Sequence, residues 1–224
     1  MSTKTRILLI AVLGLVLAGG GLLAWYAVQP DRPAGIVTGE TRSSGSALIG
    51  GPFTLTDQTG TRRTEADLQG RYALVYFGYT YCPDVCPTSL VTMTQGIDLL
   101  EEQDPEKAAA VLPVFITVDP GRDTVEAMAT YAGHFHPRMM ALTGTEEEAA
   151  AAARAYRIFY QRVEEPGASD YLMDHSSVIY LMAPDGSYLT HFTHASTAED
   201  IAAGLAAQID PAQVDPAQAG AAGS

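Results

Sequence analysis

Residues 72–77 form an unbroken apolar run in the middle of the chain. A strand without polar alternation is one covered on both faces. Residues 111–118 read as a second buried strand. Between them, Leu90, Met93, Ile97 and Leu100 recur at helical spacing, which predicts a helix over 87–100 with one stripe facing the core. Upstream, residues 53–56 and 61–64 flank Asp57-Gln58-Thr59-Gly60 and read as a hairpin. Downstream, Asp123-Thr-Val-Glu126 and Thr145-Glu-Glu-Glu148 have the form of capping boxes. Ser196-Thr-Ala-Glu199 caps a last helix that reaches Ile209. Residues 158–163 suggest a short strand, and 177–182 and 188–192 flank the turn Pro184-Asp185-Gly186. Strands alternating with helices imply an α/β layered sandwich with a partly parallel sheet.

The two ends break this pattern. Lys4 and Arg6 precede residues 7–28, an uncharged apolar stretch long enough to cross a bilayer as a helix. The apolar part of a cleaved signal peptide is shorter and ends at a small-x-small site. Here the run continues through Leu22, Leu23 and Trp25 with no clean site, and Trp25 and Tyr26 fall where interfacial aromatics belong. The expected organisation is a cytoplasmic N-terminus over 1–6, an uncleaved transmembrane anchor over 7–28 and a Pro-, Gly- and Ser-containing linker over 29–49. One domain over 50–209 follows, then a disordered tail over 210–224 that repeats Asp-Pro-Ala-Gln. The positive charges keep the short end inside. The domain is then exported to the periplasmic or outer face of a bacterial-type plasma membrane.

Charge and cysteine content narrow the function. The 224 residues carry a formal charge of −13. That excludes nucleic-acid binding, which needs basic patches to replace counterions, and adsorption to anionic lipid. Apolar residues make up 47%, enough for a core without disulfide staples. The two cysteines, Cys82 and Cys86, lie four apart between a predicted buried strand and a predicted helix. Sites form beyond the carboxyl ends of such strands. A helix start presents both sulfurs on one face, and its free amides favour thiolate. The pair reads as a reactive dithiol, a metal site, or both. A structural bridge over so small a loop stabilises little, and the spacing is one residue longer than the common redox Cys-x-x-Cys.

A third ligand must come from His134, His136, His175, His191 or His194. Four of these sit at a helix or hairpin end, where a satisfied or exposed imidazole is ordinary. His175 stands in a predicted loop just before a buried strand, on the side where the inferred sheet lets it face the cysteines. Asp84 and Asp174 are candidates for a weak or outer role. Asp119, Arg122 and Asp123 read as a salt-bridged turn with a helix cap.

Five segments occur in order: Gly50-Gly-Pro-Phe53, Phe77-Gly-Tyr-Thr-Tyr-Cys82-Pro-Asp-Val-Cys86-Pro-Thr-Ser-Leu90, Thr117-Val-Asp-Pro-Gly-Arg-Asp-Thr124, Leu142-Thr-Gly-Thr145 and Asp174-His175-Ser-Ser. Together they resemble the SCO/SenC copper proteins over residues 50–209. Tyr81 departs from the His or Phe frequent at that position, which is not a ligand. The resemblance implies a thioredoxin-like fold with an added N-terminal β-hairpin, and copper held by Cys82, Cys86 and His175. It implies a part in building the binuclear copper centre of cytochrome c oxidase, as copper donor, thiol reductant, or both. The expected partner is the oxidase's copper-centre subunit, with other copper carriers or thiol reductants beside it. Soft thiolates suit Cu(I), and imidazole suits Cu(I) and Cu(II) alike. Structural zinc usually takes a fourth protein ligand, and none stands out. Met93, Met128, Met139, Met140, Met173 and Met182 are expected to fill the core rather than relay copper. The reading is a metallochaperone rather than an enzyme. The alternatives are a thiol-disulfide oxidoreductase acting through the Cys82–Cys86 dithiol, and a copper or redox sensor.

Overall fold

The computed structural model describes residues 49–164 and 170–215. The expected anchor over 7–28, nearly all of the linker and the tail beyond 215 lie outside the described residues. Among the described residues, no helix is long and apolar enough to cross a membrane.

The hairpin β1 (Thr54–Asp57) and β2 (Arg62–Thr64) comes first, then β3 (Tyr72–Gly78), α1 (Val85–Gln103), α2 (Pro105–Ala109) and β4 (Val111–Thr117). Next are α3 (Val125–Ala132), β5 (Met140–Thr143), α4 (Glu146–Ala155), β6 (Tyr160–Val163) and β7 (Leu172–His175). The hairpin β8 (Val178–Met182) and β9 (Tyr188–Thr193) and the helix α5 (Ala198–Gln208) close the domain. Seven strands form one sheet in the order β2-β1-β5-β4-β3-β8-β9, while β6 and β7 pair only with each other. The central strands β3, β4 and β5 run parallel, and β8, β9, β1 and β2 join antiparallel. This is the thioredoxin-like α/β arrangement, with the β1–β2 hairpin added at the β5 edge.

Every residue of β3 and of β4 is buried, as unbroken apolar runs require. Leu90, Met93, Ile97 and Leu100 of α1 are fully buried against them. Met93, Met128, Met139, Met173 and Met182 are buried, and Met140 packs on the core. The helix α1 starts at Val85, two residues before the predicted start. Cys86 therefore lies inside its first turn and Cys82 just ahead of it.

Local signals misplace some boundaries. Thr145 and Glu148 form the expected capping box, but the last helix is capped by Thr197 with Asp200, one residue later than predicted. Thr124, not Asp123, caps α3 by accepting from the Ala127 N–H. Residues 172–175, expected as loop, form β7, because β6 supplies an antiparallel partner that local pattern does not reveal. The predicted boundary at Ile209 falls short. The Asp210 N–H donates to the Tyr72 hydroxyl at 3.0 Å, Val214 packs on the core, and the Asp215 N–H donates to the Gly70 carbonyl at 2.9 Å. Asp210 also caps the short turn Pro211–Gln213, so the domain extends through at least Asp215.

Helices α1 and α5 pack at unusually close range through Gly96. A Cβ there would stand 2.6 Å from Ile201 Cγ2 and 3.1 Å from the Ala198 carbonyl oxygen. Alanine is the better helix former by about 1 kcal/mol, but overpacking costs about 1–3 kcal/mol. Gly96→Ala is therefore expected to lower stability by about 1 kcal/mol net. A urea midpoint equal to or above that of the wild type would contradict this contact.

Candidate metal centre

The site is built where β3 gives way to α1. Gly78 ends the strand, and a Cβ on it would stand 2.8 Å from Cys86 Sγ and 3.1 Å from ring atoms of both Phe115 and Tyr76. Only glycine lets the Cys86 thiol pack against the strand end. The loop beyond is fixed by Asp123, whose carboxylate accepts from the Thr80 N–H at 3.1 Å, the Thr80 hydroxyl at 2.5 Å and the Thr117 hydroxyl at 2.5 Å. Burial pushes the Asp123 carboxyl above its usual range, and these hydrogen bonds oppose the rise.

The start of α1 is capped by sulfur. Asp84 occupies the N-cap but makes no side-chain cap bond. Instead the Cys86 N–H donates to Cys82 Sγ at 3.3 Å. An orphan amide at a helix start favours negative charge on its acceptor. Cys82 is half-buried, and Cys86 is fully buried. The Cys82 thiol is held well below the usual thiol range, first by its hydrogen bond with Cys86, against the opposing effect of burial. The N–H groups of Cys86 and Asp84 add to this. The bond with Cys82, together with burial, pushes the Cys86 thiol up. The sulfur at the rim is thus the more readily ionised of the two.

His175 ends β7 and brings Nε2 to 3.1 Å from Cys86 Sγ. Its Nδ1 lies 3.2 Å from the Ser176 carbonyl oxygen. A carbonyl only accepts, so this bond puts the ring proton on Nδ1 and leaves the Nε2 lone pair facing the sulfur. Tyr76 and Tyr79 meet the imidazole edge-on, at ring-centroid distances of 6.1 and 5.9 Å. The donor atoms of Cys82, Cys86 and His175 all lie within 4.8 Å of one another. Bonds of about 2.0–2.3 Å to a shared ion set donor spacings near 4 Å, so small side-chain turns suffice to close on one. No other such group of three occurs among the described residues.

The structure thus brings the three predicted residues together and keeps the rest away. His134, His191 and His194 are exposed. His136 is buried and satisfied, its Nδ1 accepting from the Arg138 N–H at 3.1 Å. Asp84 and Asp174 are exposed and outside the cluster. Sequence reasoning missed the framing residues Tyr76, Tyr79 and Asp123. Asp123 stood inside a recognised segment, but the cap-like pattern hid its inward turn.

The SCO1/SenC family model matches residues 41–210. Protein SCO2 homolog, mitochondrial, of Bos taurus is 41% identical over 199 residues, covering 88% of this chain and 73% of its own length. Protein SCO1 homolog, mitochondrial, of Homo sapiens is 40% identical over 194 residues, covering 86% of this chain but only 64% of the human protein. The crystal structure of Arabidopsis thaliana ScoI with copper bound superposes with a TM-score of 0.66 at 42% identity, covering 70% of this chain and 95% of that one. With the match running through both cysteine positions, His175 and the whole described sheet, the chain belongs to the SCO1/SenC family.

Proposed function

We propose that this protein is a copper metallochaperone, which carries one copper ion on Cys82, Cys86 and His175 to the copper-centre subunit of cytochrome c oxidase. The observation that carries the reading is the convergence of two sulfurs and an imidazole nitrogen within 4.8 Å. Two thiolates and an imidazole suit both copper states, and among the described residues no fourth ligand joins the set to close the site as structural zinc would require. The copper held by the Arabidopsis relative supports the same cargo here. Cys82 supplies charge at once, Cys86 gives up its proton on loading, and the Nδ1–H bond to Ser176 keeps the imidazole aimed. Half-buried Cys82 is the ligand an incoming target thiolate reaches first, so cargo leaves by ligand exchange on that side.

The unequal thiols also favour a second reading, as a reductant of the oxidase's own cysteines. The Cys82 thiolate would attack a target disulfide, forming a mixed disulfide and releasing one target thiolate. Cys86 would then attack Cys82 Sγ, releasing the second. Two electrons pass to the target, and Cys82–Cys86 is left oxidised.

In the same reading, residues 7–28 anchor the chain in a bacterial-type plasma membrane with residues 1–6 in the cytoplasm. A phosphatase reporter fused after Ser224 is expected to be active as an exported domain. A mature N-terminus between Trp25 and Thr41 would rule out the uncleaved anchor.

Copper binding is expected only in the reduced protein, since a Cys82–Cys86 disulfide removes both thiolates. Alkylation counts should follow metal loading. Equal copper affinity in the fully oxidised protein would remove the cysteines from the ligand set.

His175→Ala separates the two roles. Thiol exchange should persist, Cu(I) binding should weaken, and Cu(II) binding should fall by more than about tenfold. In cells lacking the wild-type gene, the chaperone role predicts an oxidase without its binuclear copper, partly restored by added copper. Near-normal oxidase with His175→Ala, and failure only when Cys82 or Cys86 is changed, would leave the reductant.

A further inference from the structure

His175 ends a strand that lies outside the main sheet. Strand β7 pairs only with β6, and neither is hydrogen-bonded into the seven-stranded sheet. An isolated two-stranded ribbon is marginal in water. What holds this one in place bears directly on the third ligand.

Arg122, in the loop between β4 and α3, joins three segments. Its Nε donates to Asp119 Oδ2 at 2.5 Å within its own loop. Its Nη1 donates to the Tyr171 carbonyl at 3.0 Å and lies 3.2 Å from Asp170 Oδ1, both at the head of β7. The guanidinium carbon stands 3.6 Å from the centroid of the Tyr171 ring and 4.8 Å from that of Tyr81, the residue before Cys82. The Tyr171 ring also carries Arg162 of β6, at 3.7 Å, and its hydroxyl donates to Asp119 Oδ1 at 2.8 Å. Arg122 Nη2 is buried with no hydrogen-bond partner, a nitrogen given over to the packed rings rather than to an oxygen. The side chain is mostly buried. Asp119 and Asp170 balance its charge, so long-range attraction of an anion is not its evident task.

We propose that Arg122 is a positioning residue that clamps the β6–β7 ribbon to the cysteine loop and so holds His175 over the dithiol. This rests on the ligand set proposed above. The planar fork stacks on two rings while its edge nitrogens reach an aspartate and a carbonyl, which a lysine ammonium cannot do. Imidazole matters more to Cu(II) than to Cu(I), which two thiolates already satisfy. The clamp therefore tunes which copper state the protein keeps.

The test uses the full-length reduced protein in detergent, comparing wild type, Arg122→Met, Arg122→Lys, His175→Ala and the Arg122→Met/His175→Ala double variant. Without metal, amide hydrogen exchange at residues 172–175 should quicken in Arg122→Met while residues 112–116 of β4 keep their protection. Titration against a competing chelator should show Cu(II) affinity about tenfold weaker and Cu(I) affinity nearly unchanged, the scale of losing an outer support of a ligand. Arg122→Lys should resemble Arg122→Met. In the His175→Ala background, Arg122→Met should take away no further Cu(II) affinity. Wild-type exchange at 172–175, wild-type Cu(II) affinity, full rescue by lysine, or an equal loss without His175 would each overturn the clamp. If His175→Ala alone binds Cu(II) as the wild type does, the ligand set itself falls. If Arg122→Met loosens β4 as well, Tyr171→Leu decides: it should quicken exchange at 172–175 alone, and failure to do so counts against the clamp.

Discussion

A carboxylate taken wholly out of water must find its hydrogen bonds within the protein. Asp123 finds them at the two places that shape the site. Thr80 leads into the cysteine loop, and Thr117 ends β4. Thr117 also accepts from the Asp119 N–H, and the Thr143 hydroxyl at the end of β5 donates to the Asp123 carbonyl. The ends of two neighbouring strands and the loop after a third are thus gathered around one buried residue. Breaking any of these bonds leaves a desolvated acceptor short of a partner, at about 1–3 kcal/mol each. The cysteine loop inherits its stiffness from that penalty.

On this frame, the two thiols differ by depth rather than by chemistry. Cys86 is sealed between the strand end, aromatic rings and His175, whereas Cys82 faces outward and takes the free amide of the helix start. One geometry thereby provides both an exposed point of exchange and a protected second donor. A carrier and a reductant need the same asymmetry, which is why the imidazole, and not the sulfurs, distinguishes them.

Much of this was legible because it is local. The apolar runs of β3 and β4 and the stripe of α1 announce themselves, and the cysteine pair at a strand-to-helix turn marks a site in any such sheet. His175 was not legible in that way. Its place before a predicted buried strand set it apart from the four other histidines only by position, and the resemblance carried by Asp174-His175-Ser-Ser singled it out. Strand β7 was missed because Leu172-Met173-Asp174-His175 has no alternation of its own and depends on β6 across the ribbon. Asp123 was misread because Asp-Thr at a helix entrance offers two caps in adjacent positions. Thr124 takes the cap, while contacts with Thr80 and Thr117, distant in sequence or on another strand, claim the aspartate. The segment from Asp210 to Asp215 looked too polar to pack, yet Val214 and the backbone bonds to Tyr72 and Gly70 suffice to hold it.

Gly78 has a bearing on how variants of this chain are interpreted. Its missing side chain is the space that the Cys86 sulfur occupies. A change there to alanine or serine leaves Cys82, Cys86 and His175 all in place, and a survey that checks for ligands would score the site as intact. The sulfur would nonetheless be displaced from its seat. Inherited or engineered changes at position 78 therefore belong with those of Cys82, Cys86 and His175, the ligand set proposed above, although glycine has no side chain to offer a metal.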